Sequence, residues 1–182
     1  MKKILNQTVV YLLAALIVFA DQYTKYLVRQ NLDVRESWSP WPWLAPYARI
    51  LHTENTGAAF GMFQSGGLIF AVIAVIVSIV IVYYTARLPE GQWWIRLTLG
   101  LQLGGALGNL VDRVARGPVT DFVSVGSFAI FNVADASISV GVALLALLMW
   151  IESRQAKPPV ATDGADKNGD GTDASAPVSS AG

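Results

Sequence analysis

The sequence contains no cysteine, which removes disulfides, thiol nucleophiles and thiolate metal sites together and leaves the redox compartment open. It has one histidine, His52. A Ser-His-Asp arrangement can therefore be built only around that residue, and a two-histidine zinc motif cannot be built at all. Charge is scarce and balanced: 14% of residues are charged, and 13 basic side chains cancel 13 acidic ones. No basic footprint for nucleic acid results. Hydrophobicity is what the chain has instead, at 53% of 182 residues and a mean hydropathy of +0.45. That exceeds what a soluble domain of this size carries.

The apolar residues are gathered into four stretches, at about 8–28, 66–86, 93–111 and 133–151. Each approaches the roughly 20 apolar residues that a helix needs to cross a bilayer, and none alternates as a strand does. The expected fold is an all-α integral membrane protein of four transmembrane helices occupying residues 1–154. Segments 29–65 and 112–132 then lie on one side of the membrane, and both termini on the other. Basic residues on the two sides number six and five, which hardly orients the chain; only Lys2-Lys3 favours cytoplasmic termini. Tryptophans fit the spans better. Trp93, Trp94 and Trp150 fall at helix ends, and Trp38, Trp41 and Trp43 in the first loop, where amphipathic rings sit at a membrane–water boundary. A competing reading of the first stretch is a cleavable signal peptide ending at Ala20, but the apolar pattern resumes after Lys25. Residues 155–182 are rich in Pro, Gly, Ser, Ala, Asp and Thr and are expected to be a disordered tail. Asp166 to Gly171 resembles the start of a calcium loop, yet the acid such a loop needs at its twelfth position is replaced by Pro177.

Charge inside a span is costly, so each ionisable residue there is a functional candidate. Asp21 and Lys25 stand four residues apart, on one helix face, acid before base. The plainer reading is a self-neutralising pair with Lys25 reaching towards water; a positioning role is compatible with it. Asn55 and Gly57 lie in Glu54-Asn55-Thr56-Gly57-Ala58-Ala59-Phe60-Gly61, either a loop-to-helix turn or an amide placed to hold a peptide backbone. Gly100, Gly104 and Gly108 recur every four residues and let a neighbouring helix approach closely. Asn109, Asp112 and Arg113 follow at the end of that helix, where Asp112 with Arg113 is expected to feed a salt-bridge network.

Two further carboxylates remain. Asp121 lies in the β-like segment Pro118-Val119-Thr120-Asp121-Phe122-Val123-Ser124, and Asp135 at the start of the fourth helix behind Asn132. Singly, Asp121 reads as a loop acid, and Asp135 as the partner of an Asn132 N-cap. Together they differ, because the short connection brings both to one membrane face. Two close carboxyls cannot both ionise easily and hold one proton between them. Such a pair can activate water and protonate a leaving amine without a metal.

Five blocks now stand in order: Asp21-Gln-x-x-Lys25, Asn55-Thr-Gly-Ala-Ala-Phe-Gly61, Gly104-Gly-Ala-x-Gly108-Asn109-x-x-Asp112-Arg113, Val119-x-Asp121-Phe122 and Phe131-Asn132-x-Ala134-Asp135. As a set they resemble the bacterial lipoprotein signal peptidases, or signal peptidase II, over about residues 8–151. The resemblance implies a four-helix aspartic protease of the bacterial inner membrane, with cytoplasmic termini and an active site towards the outer face. Its substrate would be a diacylglyceryl-modified prolipoprotein, cut just before the lipidated cysteine. The catalytic pair would be Asp121 and Asp135. Supporting residues would be Asp21, Lys25, Asn55, Gly57, Asn109, Asp112, Arg113 and Asn132. Residues 29–65 match the region that in this family forms a small extracytoplasmic β-sheet cradling the substrate. Expected partners are that substrate and membrane lipid, with no metal, cofactor or nucleic acid, and a monomeric chain. A small transporter would also use intramembrane acids, but near the bilayer midplane. Here Asp21, Asn109, Asp112 and Asp135 gather at one end of the spans. A non-catalytic membrane scaffold would leave the polar clusters without a purpose.

Overall fold

The computed structural model describes residues 2–57 and 66–155. Four long helices form where the apolar stretches lie: α1 (Lys2–Asn31), α2 (Gly67–Arg87), α3 (Trp93–Ala115) and α4 (Val133–Gln155). They run past the expected ends, since helical hydrogen bonding continues into the polar flanks after the apolar stretch stops. The calcium-like segment and the tail from residue 156 onward, with Ala58 to Ser65, lie outside the described residues.

A three-stranded antiparallel sheet caps one end, in the order β1 (Ser37–Trp38), β2 (Ala48–Asn55), β3 (Val119–Val125). The expectation drew this sheet from residues 29–65 alone. Its third strand comes instead from the connection between α3 and α4, with Thr53 opposite Asp121 and Asn55 opposite Val119. Gly117, at φ +90°, turns the chain out of α3 into that strand in a conformation that side chains resist. Pairing with β2 is what holds the Asp121 segment at the helix ends.

The surface is inverted relative to a protein in water. Leu68, Ile69 and Val80 of α2 stand 78%, 64% and 57% exposed, while Asp21, Lys25 and Asp112 are at 0%. Apolar side chains facing out and charges facing in is the arrangement that a hydrocarbon solvent demands. Helices α1, α2 and α4 are each long and apolar enough to cross a membrane. Helix α3 falls short of that measure because it is the centre. It packs against the other three helices, and eleven of its residues are buried, Arg96, Asn109 and Asp112 among them. A helix wrapped by protein on most sides need not be apolar to suit lipid.

Its glycines make that position possible. A Cβ on Gly104 would lie 2.7 Å from Ile17 Cβ and 2.9 Å from the Ala14 carbonyl oxygen of α1. Gly105 faces α4 in the same way at Ala134 and Ile138, and Gly108 is filled by the Asp21 carboxylate. The expected face of Gly100, Gly104 and Gly108 therefore admits α1, and Gly105, outside that face, admits α4. At the opposite end, buried Arg96 donates to the Leu88 and Pro89 carbonyls at 2.9 and 3.0 Å. These carbonyls close the end of α2, where a helix leaves acceptors unpaired.

Replacing Gly104 by Ala should force α1 and α3 apart at a backbone contact, costing about 1–3 kcal/mol. Thermal unfolding in detergent should show a lowered midpoint; a value equal to that of the parent would mean that the helices have room.

Candidate active site

Helix α4 starts at Val133, and its first turn is closed by a reciprocal pair. Asn132 Oδ1 accepts from the Asp135 amide at 3.0 Å, and Asp135 Oδ2 accepts from the Asn132 amide at 3.2 Å. This is a capping box with Asn and Asp in its two roles. The cap and the site are the same residues. Asn132 Nδ2 also donates to Asp121 Oδ1 at 2.7 Å, so one asparagine joins both carboxylates. Thr53 and strand pairing hold the Asp121 backbone, Thr53 Oγ1 donating to the Asp121 carbonyl at 3.1 Å.

Each carboxylate receives one further amide, and each amide has its orientation set from behind. Asn55 Nδ2 donates to Asp121 Oδ2 at 2.9 Å, while its Oδ1 accepts from the Gly57 amide at 2.9 Å. Asn109 Nδ2 donates to Asp135 Oδ1 at 2.7 Å, while its Oδ1 accepts from Lys25 Nζ at 3.0 Å and Asn132 Nδ2 at 3.1 Å. With the oxygen so occupied, only the NH₂ end can face the acid.

Behind this pair lies an ionic cluster. Lys25 Nζ meets Asp21 Oδ2 at 2.7 Å and Asp112 Oδ2 at 2.8 Å, all three fully buried. Asp21 Oδ1 accepts from the Ala134 amide at 3.0 Å, one of the unpaired N–H groups at the start of α4. Asp112 Oδ2 accepts from the Thr120 amide at 3.3 Å, next to Asp121. Two sequence expectations need correction here. Lys25 does not reach towards water, because two buried carboxylates outcompete solvent for it. Asp112 pairs with Lys25 and approaches Arg29 at 3.7 Å rather than joining Arg113. Adjacent helix residues point to different faces, so Arg113 turns to the Asn109 and Gly57 carbonyls, at 3.3 and 3.4 Å, and to the Phe70 ring.

A cleft of about 570 Å³ opens in front of both acids. Asn55, Gly57, Asn109, Arg113, Asp121 and Asp135 line it, with an apolar wall from Phe70, Phe128 to Phe131, and Ile138. Asp21, Lys25, Asp112 and Asn132 do not line it; they stand behind. Asp121 is 4% exposed. Burial pushes its carboxyl up to about 6; Asp135 pushes the same way, against the hydrogen bonds from Asn55 and Asn132. Among the described residues no group of three or more His, Asp or Glu side chains is gathered to hold a metal ion.

Residues 13–151 match the family described as Signal peptidase (SPase) II. The chain belongs to the signal peptidase II family. Curated relatives named lipoprotein signal peptidase include that of Anoxybacillus flavithermus, 41% identical over 164 residues, or 88% of this chain and 95% of that one. Another is that of Bacillus subtilis, 41% identical over 81% of this chain and 96% of that one. A solved bacterial membrane enzyme superposes with a TM-score of 0.73 at 31% identity, covering 84% of this chain and 94% of its own. Membership makes this signal peptidase II chain an aspartic peptidase that processes lipoproteins.

Sequence reasoning passed over Gln22, Arg29 and Thr120 as site residues. Gln22 Nε2 donates to Asp21 Oδ2 at 3.1 Å and the Gly108 carbonyl at 3.0 Å, and Arg29 Nη1 to Thr120 Oγ1 at 3.0 Å. A signal for Arg29 was present: residues 21, 25 and 29 repeat every four along one face.

Replacing Lys25 by Met strands two buried carboxylates, a change that costs about 3–5 kcal/mol. Lower yield of folded protein and a lower midpoint in detergent are expected; unchanged stability would mean the acids are already neutral. For Asp121 the folded pKa lies above its ordinary 3.8. Its contribution to stability is therefore full below that value and is lost as pH rises through about 6, a cost of about 3 kcal/mol when ionised. Infrared titration should show a protonated carboxyl band fading near that pH and missing in Asp121→Asn. A band gone by pH 4 would contradict the burial argument.

Proposed function

We propose that this chain removes the signal peptide from diacylglyceryl-modified prolipoproteins, cutting before the lipidated cysteine with a water activated by Asp121 and Asp135. One observation carries the reading: the two carboxylates share the Asn132 side chain and backbone and line one cleft. A water between them can lose a proton to the ionised member while it attacks the scissile carbonyl. The protonated member donates to the carbonyl oxygen and then supports departure of the amine.

The other groups position this pair. Asn55, Asn109 and Asn132 hold four carboxylate oxygens in fixed directions, and Lys25 with Asp21 and Asp112 holds Asn109 and the start of α4. Gly57 and Arg113 border the cleft, where a substrate backbone would lie. One chain supplies every group of the pair and its supports, so the site needs no residue from a second copy. We place all four helices across the bacterial inner membrane, α3 as the enclosed fourth span, with cytoplasmic termini and the sheet outside. The exposed Trp38, Trp41, Trp43 and Tyr47 on the sheet side suit a membrane boundary. At that level a lipidated substrate enters sideways from the bilayer and water is still at hand.

The test is cleavage of a diacylglyceryl-modified prolipoprotein by the purified parent and by Asp121→Asn and Asp135→Asn. Cleavage by the parent and a loss of at least about 10³-fold in each variant, all three folded, is expected. Cleavage that survives both substitutions would sink the pair, and equal cleavage of an unlipidated substrate would sink the lipid requirement.

A further inference from the structure

A second cavity, about 630 Å³, lies in the same wall of the molecule as the catalytic cleft. Both are bounded by α2, α3 and α4. The cleft uses Phe70, Asn109 and Asp135 to Val140 of these helices; the second cavity uses Ile76 to Tyr84, Ile95 to Gln102 and Leu145 to Glu152. Along α4 only the four residues 141–144 separate the two, a rise of about 7.5 Å from Val140 to Leu145. The two cavities therefore follow one another along the groove between α2 and α4 over α3, from the acids towards the chain termini.

The lining of the second part is not uniformly apolar. Ile76, Val80, Leu99 and Met149 make its walls, but Gln102 and Glu152 also line it. Gln102 Nε2 is buried without a hydrogen-bond partner, a costly state that a ligand acceptor would relieve. Glu152 stands exposed at the far mouth, and no ion pair to it forms among the described residues. A lipid acyl chain has no use for either group.

We propose that this groove is the track for the signal peptide itself, taking its apolar segment against α2 and α4 and its cationic start beside Glu152. The inference rests on the peptidase reading above. Three features of a signal peptide match. Its apolar region of roughly 7–15 residues makes about 10–22 Å of helix. The span from Asp135 to Glu152 along α4 is about 25 Å. Its leading residues are positively charged, complementary to Glu152. Finally, the end of its helix nearest the scissile bond has unpaired carbonyls. Gln102 lies seven residues from Asn109 on α3, about 10 Å from the level of the acids. Three extended residues cover that distance, so the Gln102 amide meets the last helical carbonyls just before the peptide straightens into the cleft.

The absence of cysteine makes the test clean. Single substitutions Met149→Cys and Ile76→Cys in the groove, and Leu16→Cys on the lipid-facing side of α1, are combined with Asp121→Asn. Each is oxidised with a diacylglyceryl-modified prolipoprotein that carries one added thiol in its signal peptide; its own cysteine is blocked as a thioether. A thiol near the peptide's start should join Met149→Cys, one mid-segment should join Ile76→Cys, and neither should join Leu16→Cys above background. In the cleaving enzyme, Glu152→Lys should raise KM roughly fivefold with kcat unchanged, and acidic residues at the peptide's start should restore it. Groove positions that cross-link no better than Leu16→Cys, while the parent cleaves the same substrate, would overturn the track and leave the peptidase reading intact. A parent that does not cleave would overturn both. A KM for Glu152→Lys indifferent to the charge of the peptide's start would overturn the pairing with Glu152.

Discussion

A single ammonium group, Lys25 Nζ, closed off from water between Asp21 and Asp112, is the constraint around which the described residues are organised. Burying an ion costs several kcal/mol even after relaxation, and two well-placed carboxylates with further hydrogen bonds offset it. The cluster thereby ties elements that no apolar contact would hold in register. Asp21 reaches the first turn of α4 at Ala134, Asp112 reaches β3 at Thr120, and Lys25 itself turns the Asn109 amide towards Asp135. Three connections leave one charge, and all lead to the neighbourhood of the two cleft acids.

Why such a cluster is tolerated follows from the solvent. In hydrocarbon there is little hydrophobic force between helices, so close packing of small residues and internal polar contacts hold them together. Helix α3 supplies both. Its glycines admit α1 and α4 to backbone distance, and its polar end carries Asn109 and Asp112 into the gap so formed. The helix that falls short of a membrane span by composition is the one most enclosed by the other three.

The site keeps some instability where the rest of the protein removes it. Asp21 and Asp112 each have a cation at contact distance, whereas Asp121 has only amide donors and a second acid nearby. Burial, with Asp135 beside it, holds its carboxyl above the ordinary range. Asp121 lines the cleft while Asp21 and Asp112 stand behind it against Lys25, so position separates an acid that can meet a substrate from acids that hold structure.

Much could be read from the residues alone. The four apolar stretches locate the helices because burial in lipid depends on length and composition, which are local. The Asp21–Lys25 spacing predicts their pairing because a helix repeats every 3.6 residues, and the Asn132–Asp135 spacing predicts the cap for the same reason. Five ordered blocks also sufficed to mark the family. Partners between elements were not legible. That Asp112 chooses Lys25 over its neighbour Arg113, that β3 joins β2, and that Asn55 and Asn109 each serve one acid were decided by the tertiary structure. Those choices depend on which faces of distant segments meet, and no periodicity within a segment records that. Asp121 shows the division most clearly: the sequence supplied a carboxyl near a membrane face, and only the folded chain, by burying it beside Asp135, made it keep its proton to higher pH.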